Sequence, residues 1–167
     1  MEARPPTIPA AGDPAPPLAL PGDDGLTHDL ANRRGHWTVV YFYPKDDTPG
    51  CTTEACEFRD AHSEMLTRAA EVWGVSVLDT SSKAAFRSKY DLPFVLLADE
   101  DHRVAEAWGV WVEKRNYGKT YMGIQRSTFL VGPDGHVARA WPKVNPAGHA
   151  ADVVAALDEI RDSAAAP

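Results

Sequence analysis

The run Thr38-Val39-Val40-Tyr41-Phe42-Tyr43, set between Gly35 and Pro44, constrains the fold more than any other segment of the chain. Its β-branched and aromatic side chains follow one another without polar alternation, so a strand built from them must be covered on both faces. Pro44 ends it, because the next backbone N–H is missing. A strand that needs two covers calls for a layered α/β domain. At 167 residues the chain is long enough to build one such domain around its own core.

The segments that follow supply the covers. After the turn Pro44-Lys45-Asp46-Asp47-Thr48-Pro49-Gly50, the residues Cys51, Ala55, Phe58, His62, Met65 and Ala69 recur at spacings of three and four, which is one face of a helix. Thr48 and Pro49 form an N-cap and first-turn pair, so Cys51 falls in the first turn. Val75 to Leu78 is expected as a strand, Ser82 to Tyr90 as a helix, Phe94 to Leu97 as a strand, and Asp101 to Trp108 as a helix closed by Gly109. Ser127 to Val131 and His136 to Ala140 flank Gly132-Pro133-Asp134-Gly135 as a β-hairpin. Asn145-Pro146 then opens a last helix with the apolar stripe Val153, Val154, Leu157 and Ile160. This order predicts an α/β protein with a mixed central sheet and helices on both faces, a thioredoxin-like layout. Half of the 14 prolines lie in the first 21 residues, so residues 1–12 are expected as a loose tail, 13–162 as the domain, and 163–167 as a second tail.

Charge and hydropathy narrow the partners. With 17 Lys+Arg against 24 Asp+Glu, a net charge of −7 works against binding nucleic acid or anionic lipid. Apolar runs of about five residues fall far short of the roughly 20 that span a bilayer. The start, Met1-Glu2-Ala3-Arg4-Pro5-Pro6, has no apolar core of a secretory signal, which leads to a cytoplasmic expectation. The six histidines show neither an i, i+4 helical pair nor a metal-site cluster, and phosphate-loop patterns are missing.

The two cysteines, Cys51 and Cys56, lie five positions apart, so their meaning is local. A redox pair, part of a metal site and incidental packing all remain open at this level. A helix start presents unpaired N–H groups and the positive end of the dipole, which favours the anionic form of a thiol in that turn. In an intact helix Cys56 is rotated by about 140° and raised by about 7.5 Å, so the two Cα atoms are nearly 9 Å apart. A disulfide tolerates about 7 Å. The pair can bond only if the first turns unwind, and the weak helix formers Gly50, Thr52 and Thr53 permit that. Taken alone, Arg126 at a strand start reads as a surface ion-pair partner and Thr48 as a cap.

The stretch from Tyr41 to Cys56, Tyr-Phe-Tyr-Pro-Lys-Asp-Asp-Thr-Pro-Gly-Cys-Thr-Thr-Glu-Ala-Cys, closely resembles the active-site segment of the peroxiredoxin Q family, also called bacterioferritin comigratory proteins. It carries the general peroxiredoxin pattern Pro-x-x-x-Thr-x-x-Cys as Pro44, Thr48 and Cys51. Leu92 to Asp99, Gly109 to Trp111 and Gly123 to Leu130 are similar to later blocks of the family, so the resemblance covers about residues 13–160. The proline-rich start is longer than the family pattern, and Pro17-Leu18-Ala19-Leu20-Pro21 lacks a phenylalanine often found there.

The resemblance implies a thiol peroxidase for hydrogen peroxide and organic hydroperoxides, with Cys51 as peroxidatic and Cys56 as resolving cysteine. Thr48 and Arg126 would stabilise charge on the reacting oxygens, and Pro44 would shield the pocket. Glu54, carried in the family segment, would orient neighbouring groups and stands outside the assigned site residues. Thioredoxin or a similar dithiol would reduce the internal disulfide; no metal, flavin or haem is required, and a monomer suffices. A peroxide sensor or disulfide-exchange protein using the same pair is the alternative. The spacing is wider than the C-x-x-C of a disulfide oxidoreductase, and a zinc module would find only His62 nearby.

Overall fold

The computed structural model describes residues 7–165. Among them the central sheet has five strands in the order β5 (Val95–Ala98), β4 (Ala70–Ser76), β3 (Trp37–Phe42), β8 (Ser127–Val131) and β9 (Val137–Trp141). β3 is central, parallel to β4 and antiparallel to β8. β5 continues the parallel side, and β9 closes the antiparallel side. The expected mixed sheet is therefore present, and β3 is buried along nearly its whole length.

Alternation along β3 divides the core in two. Val39 and Tyr41 point into one cluster with Phe58, Met65, Phe86, Val153 and Leu157, under helices α1 (Pro49–Asp60), α2 (His62–Thr67), α3 (Thr80–Tyr90) and α5 (His149–Ala165). Val40 and Phe42 point into the other with Trp73, Ala105, Trp108, Ile124 and Phe129. That face is covered by the short helix α4 (Arg103–Ala107) and by strands outside the central sheet. Each fully buried Phe or Leu in these clusters contributes about 1.5–3 kcal/mol relative to exposure.

Several boundaries move from their expected places. β4 begins at Ala70, not Val75, because Gly74 lies inside the strand: a Cβ there would sit 2.8 Å from the Tyr41 ring and from Leu96 Cδ2. The expected long helix after Pro49 is interrupted at Ala61, whose φ/ψ of −91/1 ends α1 before α2 begins. α4 is shorter than expected, and α5 starts at His149 rather than at Asn145-Pro146. α3 starts two residues early, capped by the Asp79 carboxylate accepting from Ser82 N at 2.8 Å.

Two hairpins had no counterpart in the sequence reading. β1 (Ala19–Pro21) pairs with β2 (Thr27–Asp29), and β6 (Trp111–Asn116) pairs with β7 (Lys119–Ile124). Residues 7–12 run along the domain: Gly12 N donates to Val137 O at 2.8 Å, and Ile8 packs against the second core cluster. The expected tail boundary at residue 12 falls within this packed stretch, and α5 continues to Ala165, past the expected boundary at 162. Residues 1–6 and 166–167 lie outside the described residues. No helix among the described residues is long and apolar enough to cross a membrane.

Candidate active site

The site lies where β3 ends and α1 begins. Tyr43, the last apolar residue of the run, is fully buried, and the half-buried Pro44 turns the chain out of the sheet. Pro49 has no N–H to lose and starts α1, which places Cys51 third in the helix. The first intrahelical bond runs from Thr52 N to Thr48 O at 2.8 Å. The N–H groups ahead of it belong to the unpaired set that every helix start exposes.

Thr48 occupies the N-cap position by backbone geometry, φ/ψ −93/157, but its side chain does not cap. Its hydroxyl donates to Lys45 O at 3.0 Å, closing the loop on itself. The expected capping role is thus corrected: the hydroxyl proton is committed to Lys45 O, and the oxygen lone pairs are what Thr48 retains to offer.

Cys51 is 1% exposed, and its sulfur receives a hydrogen bond from Arg126 Nη2 at 3.4 Å. Arg126 immediately precedes β8, whose first residue Ser127 is level with Phe42 of β3, so sheet register brings the guanidinium to the helix start. The approach depends on Gly50: a Cβ there would stand 3.0 Å from Arg126 Nη2. The other arm of the guanidinium, Nη1, donates to Glu54 Oε1 at 2.7 Å. Arg126 is therefore no surface ion-pair partner; its side chain is 15% exposed and spans a thiol and a buried carboxylate.

Glu54, expected only to orient neighbouring groups and outside the assigned site residues, lies in the site itself. It is 1% exposed, three positions after Cys51 on the same helix face, and its Oε2 has no hydrogen-bond partner among the described residues. Burial raises its carboxyl to about 7, against the opposing pull of Arg126. Burial works against the charge of Arg126, but Glu54 and Cys51 outweigh it and raise the guanidinium above its ordinary value. Among the described residues the Tyr41 hydroxyl also has no hydrogen-bond partner, and burial, with Glu54 and Cys51 nearby, holds it well above the usual phenol range. The signal that could have found Glu54 is its spacing: a carboxylate on the apolar stripe of α1 requires a cation from elsewhere in the fold.

Cys56 lies on the same helix, half-buried, and both cysteines are free thiols. With α1 continuous from Pro49 to Asp60, helix geometry keeps their Cα atoms nearly 9 Å apart, beyond disulfide reach. Among the described residues no group of three or more His, Cys, Asp and Glu side chains is placed to hold a metal ion.

A thioredoxin-like sheet that delivers an arginine to a buried thiol in the first turn of a helix defines a thiol-based oxidoreductase. Residues 11–140 match the model of the AhpC/TSA family. The chain belongs to this family, and within it to the peroxiredoxin Q or bacterioferritin comigratory group, whose members are thiol peroxidases. Peroxiredoxin Bcp of Bacillus subtilis is 46% identical over 151 residues, 90% of this chain and 96% of the relative. The bacterioferritin comigratory protein of Xanthomonas campestris, solved in trapped-intermediate and ligand complexes that concern its alkyl peroxide reduction, superposes with a TM-score of 0.82 at 43% identity. That match covers 86% of this chain and 91% of the solved one. Peroxidoxin BcpB of Mycobacterium tuberculosis gives a TM-score of 0.81 at 31% identity over 92% and 99% of the two chains.

Proposed function

We propose that this thiol peroxidase works through Cys51 as the peroxidatic and Cys56 as the resolving cysteine, with thioredoxin or a similar dithiol as reductant. The observation that carries the reading is the Arg126 guanidinium at 3.4 Å from Cys51 Sγ in the first turn of α1, with the second thiol five residues on. The Cys51 thiolate attacks one oxygen of hydrogen peroxide or an organic hydroperoxide. The O–O bond breaks, the departing oxygen takes a proton to leave as water or alcohol, and Cys51 becomes a sulfenic acid. Arg126 and the helix-start N–H groups face the charge that develops on sulfur and oxygen. Thr48 Oγ1, whose proton is given to Lys45 O, accepts the hydrogen of the incoming peroxide and so orients it. Pro44 shields the pocket without adding an N–H that needs solvent.

The start of α1 then unwinds, the Cys56 sulfur attacks Cys51, and water leaves as the disulfide forms. Each turnover ends with reduction of that disulfide, which suits a reducing compartment and supports a cytoplasmic location. Both thiols belong to one helix, so resolution needs no second chain and a monomer suffices. Intact-mass analysis after one equivalent of hydrogen peroxide tests this. The wild type should lose about 2 Da and both thiols within seconds, Cys56→Ser should stop at a sulfenic acid about 16 Da heavier, and Cys51→Ser should not react. Survival of both wild-type thiols for minutes overturns the reading.

A further inference from the structure

Lys83 of α3 is a lysine with a fully buried side chain, and an ammonium is removed from water only where something holds it. Its Nζ donates to Ser76 Oγ at 2.6 Å, at the end of β4, and to Asp46 Oδ2 and Oδ1 at 3.3 and 3.4 Å. Asp46 is 2% exposed in its side chain and sits in the loop between β3 and α1, two residues before Thr48. The same carboxylate accepts from Tyr43 OH and from Ser82 Oγ, the latter at 2.7 Å. The loop that carries Thr48, Gly50 and Cys51 is therefore tied to the sheet and to α3 through one buried carboxylate. The hydrogen bond to Cys51 Sγ comes from Arg126 and not from any of these groups.

We propose that the Lys83–Asp46 pair is a positioning lock that sets the balance between the compact site, in which Cys51 meets peroxide, and the unwound site, in which Cys51 meets Cys56. The inference rests on the cysteine roles proposed above. In the compact site the loop runs from buried Tyr43 to buried Cys51 with Asp46 pinned between them. For Cys51 to reach Cys56 the start of α1 must leave its place, and Asp46 is the nearest buried anchor on the upstream side, next to Asp47, whose exposed carboxylate accepts from Lys89 Nζ and Tyr90 OH of α3 at 2.8 Å each. Without the ammonium, the Asp46 carboxylate is a buried charge with no countercharge. It regains solvation by moving outward, and that movement draws Thr48 and Cys51 with it. The lock thus favours peroxide attack and opposes the condensation of the Cys51 sulfenic acid with the Cys56 thiol, which forms the S–S bond and releases water.

Rapid-quench mass spectrometry of the full chain with hydrogen peroxide separates the two steps, since the first consumes the reduced mass and the second consumes the sulfenic acid. In Lys83→Met the bimolecular step should slow about tenfold while the disulfide step quickens by a similar factor, as expected for a shifted two-state balance. Adding Asp46→Asn to Lys83→Met removes the stranded charge and should return both rates toward wild type, a rescue that lost packing alone does not give. Ser76→Ala, which removes one acceptor, should move both steps in the same two directions by less, and it carries the test should Lys83→Met not fold. Unchanged steps, or steps that slow together in proportion to a loss of Tm, overturn the lock. Failure of the wild type to run either step overturns the cysteine roles instead, and the lock with them.

Discussion

Arg126 Nη2 donates to Cys51 Sγ across 3.4 Å although 75 positions separate the two residues in the chain. Their meeting depends on the antiparallel register of β3 and β8, and on a glycine at position 50 that leaves the path open. It also joins the thiol to Glu54, since the same guanidinium holds that carboxylate at 2.7 Å.

Replacing Arg126 by methionine should lower the second-order rate with hydrogen peroxide by about 10²–10³-fold, the usual loss when one donor aimed at developing charge is removed. Stopped-flow or rapid-quench kinetics on the purified variant measure it. A rate within threefold of wild type would mean that the guanidinium holds Glu54 and does nothing for the sulfur.

Gly50→Ala separates catalysis from stability. Alanine is a better helix former than glycine, so the melting temperature should hold or rise, by the equivalent of up to about 1 kcal/mol. The new Cβ presses on Arg126 Nη2, and the peroxide step should fall about tenfold as the guanidinium is displaced. An unaltered rate would show that Arg126 is not held where its position matters.

Two buried groups impose opposite pH dependences on stability. Glu54 titrates at about 7 in the fold against 4.5 for an ordinary carboxyl, because burial penalises its charge. Its folded value is raised, so its contribution is full below about pH 4.5 and lost as pH rises through about 7. Glu54→Gln should lack this loss, and the stability gap between variant and wild type should change by on the order of 3 kcal/mol across that window. Urea midpoints at a series of pH values read it, and a gap that stays flat removes Glu54 from the account.

His149, buried at the start of α5 against Thr128 Oγ1 at 2.8 Å and edge-on to Phe58 and Trp141, is pushed down to about 4 by burial, with Asp152 opposing and Arg126 adding. A depressed folded value means stability is full above about pH 6.5 and is lost as pH falls through about 4. His149→Gln keeps a hydrogen-bonding side chain without the charge. It should escape a loss on the order of 3 kcal/mol at the acid end. Acid unfolding of both proteins, followed by circular dichroism, decides; coincident curves would count against it.

Gly74→Ala should destabilise by about 1–3 kcal/mol, the range for overpacking a filled core. The cause is the 2.8 Å approach of its Cβ to Tyr41 and Leu96. Thermal melting measures the effect, and a variant as stable as wild type would show that the sheet yields there without strain.

Gly74 also explains one limit of reading the sequence. A glycine between apolar residues looks like the boundary of a strand, and only the Tyr41 ring on the neighbouring strand shows why the residue sits in its middle. The β6–β7 hairpin was missed for a related reason. Glu113 to Lys119 is polar and largely exposed, and its strands pair only with each other, so neither face carries the alternation that marks a half-buried strand. By contrast β3, the Gly132–Gly135 turn and the place of Cys51 at a helix start were legible, because each rests on neighbours within a few residues. The order of the helix and strand segments was enough to imply the mixed sheet.

The sequence by itself determined the doubly covered strand, the helix that begins at Pro49 and the two thiols along it, because local backbone chemistry and hydrophobic period act over short stretches of chain. Only the tertiary structure decided how Arg126, implied by the family resemblance as a site residue, reaches Cys51, that Glu54 is its buried counterpart and that Lys83 ties down Asp46. Those pairs lie 75, 72 and 37 positions apart. A buried charge must find its partner through space, and the sheet register that brings the two together is a property of the whole fold.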